Sequence, residues 1–102
     1  LAGRRRRTGA GISGAVTAGK KVTFTHHAED AIREREIDPD WIMRTALDPE
    51  WRTPDPYRPG VERRFRSIPE FNNRVLRVAC IESDIELRIV TVFFDRHARK
   101  QR

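Results

Sequence analysis

Cysteine and long apolar runs are scarce in this sequence. Cys80 is the single cysteine, so no disulfide bond can form within the chain, and we expect a reducing compartment. No stretch approaches the roughly 18 consecutive apolar residues that a membrane-spanning helix needs. We therefore expect a cytoplasmic protein with no membrane partner. The 102 residues are enough for one small domain.

Motifs of nucleotide, thiol and serine chemistry are also missing. No glycine-rich phosphate loop follows a strand, no Cys-x-x-Cys pair occurs, and no serine lies in an elbow motif. The three histidines, His26, His27 and His97, are not spaced with Cys80 as the ligands of a zinc site. We therefore predict that the protein uses neither a metal nor a cofactor.

The excess positive charge lies at one end of the chain. The formal net charge is +6, and residues 1–21 hold six lysines or arginines, including the run Arg4–Arg7, and no acid. Residues 22–102 hold 15 basic and 15 acidic residues and are neutral overall, so only local clustering of charge would indicate nucleic-acid binding. We interpret the glycine-rich residues 1–21 as a flexible basic arm, which need not belong to the natural protein, and residues 96–102 as a basic tail.

Residues 22–95 predict a single α+β domain. The alternation in Val22–Thr25 predicts a short strand, while Thr25 and the Asp38-Pro39 step are typical starts of two helices. Residues 51–60 contain three prolines and a glycine and are predicted to form an extended loop. Three strand-like runs with short turns between them follow, at residues 61–68, 74–82 and 86–95. This order predicts a short strand and two helices packed on one face of an antiparallel meander.

The segment Phe24–Ile37 gathers groups suited to acid–base chemistry. His26 and His27 stand at the predicted helix start, where a histidine can donate to an anion and changes charge near neutral pH. Arg35 falls on the same helical stripe as Ala28, so we expect it to lean onto the core and pair with a carboxylate or a phosphate. The structural alternatives are surface or capping histidines and an arginine whose stem packs beside a structural partner.

A cluster of arginines occupies two of the predicted strands. Arg63, Arg64 and Arg66 lie on one strand, and Arg74 and Arg77 lie on the next. Because neighbouring strands of a meander pair, these side chains are predicted to form a positive patch that contacts RNA phosphates, with Arg63, Arg64, Arg66 and Arg77 as the binding residues. A charged outer face that prevents edge pairing between sheets is the alternative.

Several short motifs occur in an order that resembles a known family. They read F-T-x-H-A at residues 24–28, E-R at 34–35, I-D-P-D-W-I at 37–42, D-P at 48–49 and I-V-T-V-F-F-D at 89–95. In this order they resemble the small bacterial domain-of-unknown-function 4258 family. That family is grouped with RelE- and BrnT-like toxins, which have the barnase-like fold of metal-independent ribonucleases. The resemblance covers roughly residues 22–95.

The resemblance implies a RelE-like fold and a metal-independent endoribonuclease toxin of a bacterial toxin–antitoxin system. By motif match, His27 would act as acid or base and Thr91 would orient the phosphate. Arg35, together with a strand arginine (Arg64 or Arg66), would hold that phosphate. The chain departs from the family pattern at Ala31, where an arginine is common, and at Glu36, where glycine is common. Two alternatives stay open: a non-catalytic module of the same fold that binds RNA or a protein, and an interaction protein that pairs with an antitoxin-like protein or with itself as a homodimer.

Overall fold

The computed structural model describes residues 15–17 and 20–98, which form an α+β domain with two helices on one side of a sheet. In chain order the elements are β1 (Ala15–Thr17), β2 (Lys20–Phe24), α1 (His26–Arg35), α2 (Pro39–Leu47), β3 (Trp51–Pro54), β4 (Glu62–Ile68), a short 3-10 helix (Pro69–Phe71), β5 (Arg74–Glu82) and β6 (Glu86–Phe94). The six strands stand in the order β1-β2-β6-β5-β4-β3. The predicted α+β class, with helices on one face, is confirmed.

The sheet is larger than the predicted meander and is mixed in direction. The two helices carry the chain from β2 to the far edge of the sheet, and β3 to β6 return by antiparallel pairing. The last strand, β6, therefore arrives beside β2 in the same direction, and these two strands pair in parallel. Because β6 occupies one side of β2, β1 pairs antiparallel on the other side and forms the edge of the sheet.

β1, the start of β2 and β3 lie in segments that were not predicted to form strands. β1 and the start of β2 lie within residues 1–21, the predicted basic arm, while residues 1–14, 18–19 and 99–102 lie outside the described residues. β3 lies in the proline-rich segment predicted as a loop. It forms because Trp51 pairs with Phe65 across the strands and stacks on it at 4.9 Å between ring centres.

Both helices begin at the predicted capping residues. The Thr25 hydroxyl accepts a hydrogen bond from the Ala28 N–H at 3.1 Å, and the Asp38 carboxylate accepts one from the Asp40 N–H at 2.9 Å. These bonds satisfy backbone donors that have no partner within the helix. The local sequence therefore sets where each helix starts.

α1 ends at Glu36, which adopts the left-handed backbone conformation with φ 52°. Glycine adopts this conformation without the steric cost that a side chain brings. α1 therefore ends at Glu36 with a steric cost that a glycine would not carry.

The hydrophobic core lies between the two helices and one face of the sheet. Ile42 and Ala46 of α2 pack there with Leu76, Val78 and Val92 of the central strands, and all five are 0–1% exposed. Successive strand residues alternate between the two faces. The residues between these core positions therefore lie on the opposite face, which we call the open face because no helix of the described residues packs on it. It carries Trp51, Thr53, Arg63, Phe65, Arg77, Ala79, Thr91 and Phe93.

Neither described helix has the length and apolar character that crossing a bilayer requires.

Candidate functional site

The cross-strand register places Arg63, Ala79 and Thr91 in one row on the open face, across β4, β5 and β6. Ala79 is 1% exposed and has the shortest side chain of the row. The longer side chains of Arg63 and Thr91 lie on either side of it. Arg77 precedes Ala79 by two residues on β5 and therefore lies on the same face. We call these four residues the Ala79 cluster.

A β-bulge in β6 sets the position of Thr91. The register shifts between Ala79 and Cys80, so that Ala79 faces Thr91 while Cys80 faces Ile89. Val90 is the extra residue, and without it Thr91 would not stand opposite Ala79. Among the described residues the Thr91 hydroxyl makes no hydrogen bond. The bulge therefore places an unengaged hydroxyl on the same face as Arg77, its diagonal neighbour on β5, and Arg63, which lies one strand further on.

Arg77 is held on the open face with part of its guanidinium unsatisfied. Its Cζ lies 4.3 Å from the centre of the Phe93 ring, and Nη1 donates to the Asp95 carboxylate at 3.1 Å. Its Nε is buried and has no hydrogen-bond partner in the part of the chain described. Burial, and then the nearby charge of Arg63, lower the pKa of Arg77. A buried donor without an acceptor is costly, but an anion from solvent can reach only the nitrogens of this guanidinium that are not buried.

Arg63 is positioned by a buried carboxylate, that of Asp55. The Arg63 Nε lies 3.4 Å from Asp55 Oδ2, and the Asp55 side chain is 1% exposed. The other guanidinium nitrogens of Arg63 have no partner among residues 15–17 and 20–98. Asp55 thus orients Arg63 while leaving its terminal nitrogens available to an anion.

The Asp55 carboxylate stays ionised well into the acid range. It accepts hydrogen bonds from the backbone N–H groups of Tyr57 at 2.8 Å and Arg58 at 3.1 Å, and one from Arg58 Nη2 at 3.0 Å. These contacts lower the pKa of Asp55 from 3.8 to about 2. The hydrogen bond from the Tyr57 N–H is the main cause, followed by the contacts with Arg58 and Arg63. Hydrogen bonds to the charged form outweigh its desolvation here.

Replacing Asp55 by asparagine is expected to destabilise the fold at neutral pH and to matter little in strong acid. Because the folded pKa of about 2 lies below the ordinary 3.8, the ionised carboxylate stabilises the fold above about pH 4. That stabilisation is lost as pH falls from about 4 to about 2. Urea unfolding of wild type and Asp55→Asn at neutral pH and near pH 2.5 measures the difference. Asp84→Asn, at an exposed turn, is the control, and a difference that is unchanged at low pH contradicts the prediction.

The histidine and arginine of α1 lie apart from the Ala79 cluster. His27 and Arg35 are exposed, and neither side chain makes a hydrogen bond or ion pair within the described residues. A helical rise of about 12 Å separates them. The expectation that Arg35 leans onto the core is wrong, because α1 buries only Ala28 and Ala31.

The start of α1 is nevertheless attached to the strand that carries Thr91. The Thr25 hydroxyl donates to the Val90 carbonyl at 3.1 Å, and the Thr25 N–H donates to the Ile89 carbonyl at 3.0 Å. Val90 is the bulge residue directly before Thr91. His26 and His27 therefore follow a residue that is bonded to β6 at the margin of the Ala79 cluster.

The predicted arginine patch is divided between the two faces of the sheet, so the expectation of one patch is wrong. Arg64 and Arg66 alternate with Arg63 and lie on the helix-facing side. Arg64 is 5% exposed and donates to the Ala46 carbonyl at 2.6 Å. Arg66 donates to the Asp48 carbonyl, also at 2.6 Å. Both arginines satisfy carbonyls at the C-terminal end of α2.

A groove of about 630 Å³ lies beside Arg64 on the helix-facing side. Lys20 forms an ion pair with Glu82 there, and Arg64 donates to Glu82 at 2.6 Å. These two bonds, led by that of Lys20, lower the pKa of Glu82 to about 2. Arg52 also has a carboxylate partner, Glu62, at 3.4 Å. The cations that line the groove are thus paired with carboxylates, as Arg63 and Arg77 of the open face also are.

Three contributors to the open face, Asp55, Phe93 and Asp95, were missed from the sequence. A partial signal existed for Asp55, because an aspartate before Pro56 in a turn-rich segment is typical of a side chain that accepts from backbone N–H groups two or three residues on. Phe93 and Asp95 become recognisable only when the register sets them beside Arg77. Residues 15–17 and 20–98 contain no group of three His, Cys, Asp or Glu side chains able to hold a metal ion.

Comparison with known proteins places the chain by sequence. No curated protein and no solved structure matches it at a significant level. A family model described as "Domain of unknown function (DUF4258)" matches residues 24–94. That range contains both helices, the strands β3 to β6 and all four residues of the Ala79 cluster. The chain therefore belongs to the DUF4258 family, the family that its motif order resembles.

Proposed function

We propose that the open face binds RNA through its phosphates at the Ala79 cluster. The observation that carries the proposal is the presence of two arginines, Arg63 and Arg77, in one cluster. Each is held by a carboxylate through part of its guanidinium, and each has further nitrogens without a partner within the described part of the chain. Two neighbouring guanidinium groups repel each other until an anion lies between them. A phosphate accepts paired hydrogen bonds from a guanidinium, and the Thr91 hydroxyl is a further donor.

The surroundings favour a polynucleotide over a small phosphate compound. No helix of the described residues covers the face on which the cluster lies. Arg88 is exposed on the same face, and Arg58 is exposed in the connection between β3 and β4, where it pairs with Asp55. Cations spread over a surface match the repeating charge of a nucleic-acid backbone. The family resemblance to ribonuclease folds is what favours RNA over DNA.

A second candidate function is that of a metal-independent endoribonuclease toxin related to RelE and BrnT, with an antitoxin-like protein as partner. The observation that favours it is the bonding of Thr25 to the Val90 carbonyl, which ties the α1 start to β6 next to Thr91. In this proposal His27 acts either as the base that takes the proton of the ribose 2′-hydroxyl or as the acid that protonates the leaving 5′-oxygen. Arg63 and Arg77 would stabilise the charge that develops on the phosphate.

Binding and cleavage are tested in the same samples. A fluorescently labelled single-stranded RNA is titrated with the protein in EDTA at several salt concentrations, and the RNA is then run on a denaturing gel. Binding that weakens with salt while the RNA stays intact supports the RNA-binding proposal. Cleavage in EDTA that is lost in His27→Ala but kept in His26→Ala establishes the ribonuclease instead. No binding at low salt overturns both.

The basic arm needs its own control, because four adjacent arginines bind phosphates without a folded site. A full-length variant with Arg4–Arg7 changed to glutamine removes this contribution and leaves the open face intact. We expect RNA binding to be weakened but retained. Binding that disappears with these four residues assigns the affinity to the arm and overturns the open-face proposal.

A further inference from the structure

One aromatic side chain is exposed far beyond what the fold requires. Tyr57 is 82% exposed, against 41% for Leu47 and Ile81 and 76% for Ile85. It lies in the connection between β3 and β4, and it is the single tyrosine of the chain. A large aromatic ring held in water contributes little to the stability of the domain, so the ring is available to a ligand.

The segment that displays Tyr57 is ordered by hydrogen bonds. The Tyr57 N–H donates to the buried Asp55 carboxylate at 2.8 Å, the Asp55 N–H donates to the Val61 carbonyl at 2.9 Å, and the Val61 N–H donates to the Arg58 carbonyl at 3.2 Å. Pro56, directly before Tyr57, has a fixed φ and restricts the backbone of Asp55. The aromatic ring is therefore presented from a pre-organised turn, which reduces the entropy lost on binding.

The same carboxylate connects Tyr57 to the proposed phosphate site. Asp55 Oδ1 accepts from the Tyr57 N–H, while Oδ2 faces the Arg63 Nε at 3.4 Å. One buried carboxylate thus bonds both to the backbone of the residue that carries the exposed ring and to a guanidinium with unengaged nitrogens. A nucleotide offers the complementary pair of groups, since it carries a flat base beside a phosphate.

We infer that Tyr57 stacks on a nucleobase and that the open face therefore binds single-stranded rather than duplex RNA. Bases in a duplex are stacked on each other and their faces are covered, whereas an unpaired base can lie against an aromatic side chain. The inference rests on the proposed function, because it assumes that Arg63 and Arg77 hold the neighbouring phosphates. The charged neighbours of Tyr57, Arg58 and Arg63, favour a nucleotide over an apolar protein surface.

Labelling Tyr57 with fluorine gives a direct test. Incorporation of 3-fluorotyrosine into the full chain yields a single fluorine resonance, because there is one tyrosine. We expect single-stranded oligoadenylate to shift this resonance and a duplex RNA of equal length to leave it in place. A resonance that moves with neither RNA overturns the inference and leaves the turn as a contact for a protein partner.

Affinities of matched variants separate this inference from the proposed function. Tyr57→Ala is expected to weaken binding of single-stranded RNA about tenfold, while Tyr57→Phe, which keeps the ring, binds as wild type does. Ile85→Ala is the control, since Ile85 is similarly exposed. If Arg77→Gln weakens binding and Tyr57→Ala does not, only the stacking inference fails. If neither weakens it, the open-face proposal fails as well.

Discussion

Replacing Arg64 by methionine is expected to lower the free energy of unfolding by about 2–3 kcal/mol. Arg64 is 5% exposed and donates to the Ala46 carbonyl, to Glu62 at 2.8 Å and to Glu82 at 2.6 Å. Methionine keeps most of the buried volume but supplies no donor. The loss is moderated because both glutamates reach solvent and Glu82 keeps its ion pair with Lys20. Urea unfolding near pH 7 measures the change.

Arg66→Met is the matched control for this prediction. Arg66 also donates to a carbonyl near the end of α2, but it is more exposed and its other contact, with the Asp48 carboxylate, is long at 3.5 Å. We expect a loss of at most about 1 kcal/mol. If Arg64→Met costs no more than Arg66→Met, Arg64 has no special structural role, and its sequence-based assignment to RNA binding regains support.

Replacing Arg77 by glutamine is expected to weaken RNA binding about 10- to 100-fold. Glutamine is polar but lacks the terminal guanidinium nitrogens and the positive charge that a phosphate would contact. The dependence of log affinity on log salt concentration should also become shallower by about one phosphate contact. Fluorescence anisotropy with labelled RNA at three or more salt concentrations measures both changes, and urea unfolding of the variant verifies that it is folded.

Arg74→Gln is the matched control, because Arg74 lies on the same strand but on the other face. Its guanidinium carbon lies 5.0 Å from the centre of the Phe71 ring and 5.7 Å from that of Phe94, rings that pack against the core. Its removal takes away the same charge without altering the Ala79 cluster. Equal losses of affinity in Arg74→Gln and Arg77→Gln would mean that RNA responds to total charge and would contradict a defined site.

Features that depend on a few adjacent residues were predictable from the sequence. Thr25 and Asp38 mark the two helix starts because a capping side chain bonds to a backbone N–H only two or three positions away. The alternation along β5 predicts a strand with its Leu76 and Val78 side inward, as found. Helices on one face of a mainly antiparallel sheet follow from the order of these elements, and the family follows from motif order.

The candidate site depends on contacts between residues distant in the chain. Strand alternation alone could separate Arg63 from Arg64, but the open face could be assigned only once β4 had paired with β5 and the helices had covered the other side. The bulge that sets Thr91 opposite Ala79 leaves no clear mark in the sequence. β3 likewise forms in a proline-rich segment because Trp51 stacks on Phe65. Local patterns therefore determine the elements, whereas long-range register and packing determine which side chains share a face and a site.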